Sequence, residues 1–236
     1  MTYNILAIRS PSDPFDPLYP NLNEGGKGFR PVGNDGKNIR RWPVLTMSVW
    51  EDRDDTYHRI GSFNDGTPTL FLTDIRVVVV HHSFNTGDRS YAMWGMDASY
   101  LTSVALARLR TYNRALTGHL PLISLSRISV KPADGRPHGI VRLFAIEKTG
   151  GAPRTVILQF SLKSINDALD FAQGTARRSA RVWLRGSKEP RALLEKLTEA
   201  ARLEPADGTW SSYRLPCTAH LDEDIPARLG IKPPGA

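Results

Sequence analysis

The chain has 236 residues, with 31 Lys and Arg against 24 Asp and Glu, a formal net charge of +7 and a single cysteine, Cys217. One cysteine excludes an internal disulfide framework and fits a reducing compartment. No run approaches the ~20 apolar residues of a membrane span, and the start, MTYNILAIRSPSDP, has no basic stretch followed by an apolar one. A cytoplasmic protein is expected, with a lean toward anionic partners.

Residues 1–41 read as an irregular arm. Their SPSDPFDPLYP and NEGGKGFRPVGNDGKN runs forbid a long helix or a central strand, though Phe15, Leu18, Tyr19 and Phe29 could pack it down. Strands are expected from Trp42: VLTMSVW (44–50), which alternates weakly, and then YHRIGSF (57–63). The segment GTPTLFLTDIRVVVVHH holds two β-rich apolar runs around Thr73-Asp74, where a tight turn is cheap because Asp bonds readily to nearby backbone. An antiparallel hairpin over 69–82 is expected, and four consecutive valines imply cover on both of its faces.

The stretch 97–118 has helical spacing at Leu101, Val104, Ala105, Leu109, Tyr112 and Leu116, with Asp97 placed to cap its start and Gly118 its end. LPLISLSRISV (120–130) reads as a strand with a bend at Ser124–Ser126. IVRLFAIEK (140–148) and TVILQFSL (155–162) form a second hairpin. A helix over 164–184 is capped by Ser164, with Asp167 three residues on. Its apolar stripe is Ile165, Ala168, Leu169, Ala172, Ala176, Ala180 and Trp183, and Gly174 marks a candidate kink. A short helix over 190–203 and a loop-like tail follow.

This order of elements resembles the pleckstrin-homology superfold, and specifically the bacterial PH-like and GRAM-like domains. GTPTLFLTDIRVVV is similar to the family's strand, Thr-Asp step, Arg and second strand. LPLISLSRISV and TVILQFSLKSINDALDFA look like a later strand and the last strand running into the capping helix. The resemblance covers about residues 42–184. It implies an α+β fold: a bent sheet or partly open barrel of about seven antiparallel strands, capped by the 164–184 helix. A helical insertion, 84–119, is longer than the family's usual connection. The arm (1–41) and the extension (185–236) lie outside the match.

No catalytic constellation is present. His81-His82 end a strand on opposite faces and cannot chelate one metal. Cys217 has no partner pattern of a thiol enzyme, and the carboxylates of EDRDD (51–55) fit a polar turn between strands. The expected function is therefore a non-enzymatic binding or assembly module, without cofactor or metal. It would engage a protein partner or itself through the insertion, at Met93, Trp94, Arg108, Arg110 and Arg114. A second basic set, Arg177, Arg178, Arg181 and Arg185, is either an anion-binding site or a solvated helix face. Anionic phospholipid or nucleic acid are the alternative partners. The acidic EDRDD loop weighs against lipid, and few aromatics lie among the arginines to stack on bases.

Overall fold

The computed structural model describes residues 6–9, 22–23, 28–53, 56–63, 68–81, 115–149, 152–185, 204–206 and 210–215. The strands are β1 (Leu6–Arg9), β2 (Arg40–Arg53), β3 (Thr56–Phe63), β4 (Thr69–Leu72), β5 (Arg76–His81), β6 (Ala115–Pro121), β7 (Leu125–Pro132), β8 (Gly139–Thr149), β9 (Ala152–Leu162), β10 (Glu204–Ala206) and β11 (Trp210–Arg214). One α-helix, α1 (Ile165–Arg185), follows β9. The strands are antiparallel and run in the order β1-β6-β5-β4-β2-β9-β8-β7-β11-β10, with β3 also on β2. The protein is thus α+β, a mostly antiparallel sheet with one helix among the described residues.

The long strand β2 belongs to two wings. Residues 40–43 pair with β4, residues 47–53 with β3, and residues 44–51 with β9 on the other edge. A register shift between Val44 and Thr46 changes which side chains face inward. Trp42 and Val44 before it, and Met47 and Val49 after it, all enter one core. The weak alternation of VLTMSVW is the trace of this bulge.

The β4–β5 hairpin is the expected one, with Thr69 opposite Val80 and Leu72 opposite Val77. Its turn is closed by Thr73 rather than by Asp74. The Thr73 hydroxyl accepts from the N–H groups of Ile75 (3.2 Å) and Arg76 (3.0 Å). The valines divide as their period-two pattern requires. Val77 and Val79 enter the main core, while Val78 and Val80 join a second cluster with Leu22 and Phe29, against which Ile39 and Phe71 pack.

From β6 in the first wing the chain reaches β7 in the second through a single 3-10 turn, Leu122–Ser124. The bend comes two residues before the expected place, and the turn resets the phase. Leu125 therefore joins Leu120, Leu122, Ile128 and Val130 in the core instead of facing away from them. The inner faces of both wings share that core.

Three expectations are corrected. Residues 115–118 are strand, not the end of a helix, and Gly118 pairs with Val79 and Leu6 instead of capping. Leu116 suited either period, and pairing between β1 and β5 decides the matter. The tail from 204 onward is not wholly loop-like, since β11 lies on the edge of β7 with Ser211 opposite Val130. The arm is not wholly irregular, since β1 pairs with β6. Both strands are too short to form without a distant partner. The expected helices over 97–114 and 190–203 lie outside the described residues.

Helix α1 packs on β7, β8, β9, β4 and the 3-10 turn. The Ser164 hydroxyl accepts from the Asp167 N–H (3.0 Å) and donates to the Asp167 carboxylate (2.8 Å), which fixes the start of the helix. Ala168, Phe171, Ala172, Ala176 and Ala180 are buried. The rings of Trp42 and Phe160 meet that of Phe171 edge-on, with centroids 5.0 and 5.2 Å away. The helix runs unbroken through Gly174.

The helix also sits very close to β8. A Cβ at Gly139 would stand 2.4 Å from the Cβ of Ala168 and 2.9 Å from the Ser164 carbonyl oxygen. Gly139→Ala is expected to cost about 1–3 kcal/mol by overpacking. Phe160→Ala should cost about 3–5 kcal/mol by leaving a cavity. Urea melts measure both; a loss below about 0.5 kcal/mol at either site would contradict the packing described.

Candidate functional site

Two polar constellations meet where the arm, the β4–β5 turn and α1 converge. The first is buried. Arg76 opens β5 and Asp35 ends a 3-10 turn, Gly33–Asp35, in the arm. Each side chain is 1% exposed. Arg76 Nε donates to Asp35 Oδ1 (2.8 Å) and Nη2 to Oδ2 (2.7 Å), a two-pronged pair. The Val32 N–H also donates to Oδ2 (3.0 Å), and the Asp74 N–H donates to the Asp35 carbonyl (3.0 Å).

Gly36 follows with φ +78°, where a Cβ would lie 1.9 Å from Asp74 Oδ2. Only glycine fits that position. These contacts seat the arm on the outer face of the first wing. There Phe29 meets Phe71 edge-on at 5.1 Å, and Leu22 and Phe29 cover Val78 and Val80.

His119, opposite Val78, is also buried. Burial, and then the nearby Arg76 guanidinium, hold its pKa well below the ordinary histidine value. The imidazole is therefore neutral in the folded protein at neutral pH.

The second constellation is the basic face of α1. Arg178 is half-buried and acts as a strut: Nη1 donates to the Leu72 carbonyl (2.9 Å) and Nη2 to the Asn38 carbonyl (2.7 Å), with Asp74 3.6 Å away. Burial lowers its pKa; Asp74 opposes that shift, while Arg40 and Arg181 add to it. Arg40 forms a two-pronged pair with Asp170 on the helix, both about half exposed, and lies 4.8 Å from the Trp42 ring centroid.

Arg177 and Arg181 differ from both. They are exposed, and among the described residues neither has an ion pair. Arg185 follows at the same four-residue interval. Lys37, also exposed, stands one residue from the Asn38 carbonyl that holds Arg178.

Of the expected anion-binding set, the structure thus turns Arg178 inward to hold the fold and leaves Arg177 and Arg181 outward. The Arg185 side chain lies outside the described residues, as do Met93, Trp94, Arg108, Arg110 and Arg114 of the expected partner surface. His82 and Cys217 lie outside them too. Lys37 and Arg40, at the end of the arm, lie outside the arginine pattern of the helix that the sequence displays. The K-N-I-R run before the first strand was the available signal.

Other cations lie over rings. Arg127 is 3.7 Å from the Phe144 centroid, and Arg142 and Lys131 are 4.3 and 5.3 Å from that of Trp210. Among the described residues, no group of three or more His, Cys, Asp or Glu is placed to hold a metal ion, and no helix is long and apolar enough to cross a membrane.

No protein-family model matches the chain, and no curated protein or solved structure matches it.

Asp35→Ala should cost about 3–5 kcal/mol, because it leaves Arg76 buried and unpaired. The double variant Asp35→Ala/Arg76→Met should recover a large part of that loss. A double-mutant cycle by denaturant melts checks this, and additive losses would contradict the coupling. For His119, the unfolded chain takes up a proton near pH 6.5 and the folded chain does not. Stability should therefore fall as pH drops below about 6.5, and His119→Gln should flatten that slope. Melts between pH 8 and 5 give the comparison.

Proposed function

We propose that the protein is a non-catalytic binding module that holds an anionic partner on the basic face of α1. The observation that carries this reading is the contrast among neighbouring arginines. Arg178 and Arg40 are engaged by the fold, whereas Arg177 and Arg181 stand one turn apart, exposed and, among the described residues, without an ion pair.

Like charges at that spacing repel by about 0.2–0.5 kcal/mol per pair. The helix dipole offsets such a cost only within the last turn, which includes Arg185 and lies just beyond Arg181. Arg177 is two turns from the end of α1 and gains little from it. A bound anion would gain from both guanidinium groups, whose forks suit carboxylate or phosphate. Arg178 and Arg40, tied to β4, Asn38 and α1, hold the surrounding surface in place.

The PH-like reading belongs to this proposal. A strand shared between two wings and a C-terminal helix on the core support it. A separate proposal, resting on sequence alone, is capture of a protein partner or a second copy through Met93, Trp94, Arg108, Arg110 and Arg114.

The test is retention on a heparin column. Arg177→Glu/Arg181→Glu should elute at clearly lower salt than the parent and melt at the same temperature. Arg178→Ala should instead lower the melting temperature. Unchanged elution of the charge-reversed variant would place any anion-binding surface elsewhere.

A further inference from the structure

Resting on the reading of α1 as an anion-binding face, we infer that the anion is the phosphate backbone of a double-stranded nucleic acid, contacted without reading of the bases. The described outward cations of α1, Arg177 and Arg181, are set along the helix axis and not at one point. Arg177, Arg181 and Arg185 recur every four residues, an axial rise of about 6 Å per step. That interval is of the same order as the spacing of successive phosphates on a strand. Arg40, paired with Asp170, and the exposed Lys37, next to the Asn38 whose carbonyl holds Arg178, lie where α1 meets the arm. Of the described cations near this surface, Arg178 is turned inward beside Asp74 and Arg40 is paired with Asp170, which leaves Lys37, Arg177 and Arg181 exposed to a partner.

A bilayer is the poorer fit. A helix lying on a membrane surface needs an apolar face to bury among the lipids. On α1, Ala168, Phe171, Ala172, Ala176 and Ala180 are consumed by the core. The exposed residues beside the arginines, Lys37, Asn38 and Gln173, are polar.

An acidic protein is also the poorer fit. Protein interfaces draw most of their energy from buried aromatic and aliphatic anchors. Among the described residues of this surface the aromatic is Trp42, which is 5% exposed and belongs to the core. What remains is charge in a row, and a phosphate backbone is bound through charge and counter-ion release. Among the described residues of this surface no exposed ring is present to stack on a base, and contact through phosphates alone carries no sequence information.

The experiment is fluorescence anisotropy of the full chain with two unrelated 20-base-pair DNA duplexes across a salt series. Phosphatidylserine vesicles and polyglutamate are run in parallel. Both duplexes should bind with affinities within about two-fold of each other. The slope of log affinity against log salt should fall in magnitude by about 2 in Arg177→Gln/Arg181→Gln, about one per lost phosphate contact. Arg177→Lys/Arg181→Lys should keep most of the slope.

A tenfold preference between duplexes would overturn base-independent contact. An unchanged slope in the Gln variant would overturn contact through α1. If vesicles or polyglutamate bind, the Gln variant loses them and duplex does not bind, the nucleic-acid inference falls while the anionic-partner reading stands. If no polyanion binds, both fall.

Discussion

A buried ion pair between the arm and the sheet, Asp35 with Arg76, is the constraint on which the described architecture turns. Both groups are all but inaccessible to water, so each carries a desolvation cost that only good geometry repays. Two parallel hydrogen bonds and a third from the Val32 N–H provide that geometry. Such a pair is a weak source of net stability, but it tolerates only one placement. It sets the arm against the β4–β5 turn, which in turn lets Gly36 pass Asp74 at a distance no other residue allows.

The consequences reach both faces of the first wing. Outside it, the seated arm buries Val78 and Val80, and Arg76, held by Asp35 of the arm, adds to the burial that keeps His119 neutral. Along its edge, the arm delivers the Asn38 carbonyl to Arg178 and brings Arg40 to Asp170. Inside, β4 and β5 give Leu70, Leu72, Val77 and Val79 to the core that α1 closes. The basic face of α1 is therefore held by contacts that trace back to the arm, and a surface offered to a partner needs that fixity.

Much of this was legible in the residues, and the rest was hidden for identifiable reasons. RVVVV announced a strand covered on both sides, and Ser164 with Asp167 announced the start of α1, because both are local signals. The bulge in β2 was legible only as a fault in alternation, since a phase change looks like weak patterning until its two partners are known. The strands β1, β6 and β11 needed partners distant in sequence. Leu116 and Gly118 fitted a helix end as well as a strand. Asp35 lies within the Gly- and Pro-rich arm with no local sign of burial, and its partner is 41 positions away. The arginine cluster on α1 could be found by composition, but which members were structural depended on carbonyls of β4 and the arm. Such acceptors leave no mark in a side-chain pattern.

Amide hydrogen exchange on the Asp35→Asn variant tests most directly whether the arm is held by this pair. The account predicts a large loss of protection across residues 28–41 and at the β4–β5 turn, with β7, β8 and β9 retaining theirs. Unchanged protection in the arm would contradict it, and would mean that the apolar contacts of Leu22 and Phe29 suffice to hold the arm without the ion pair.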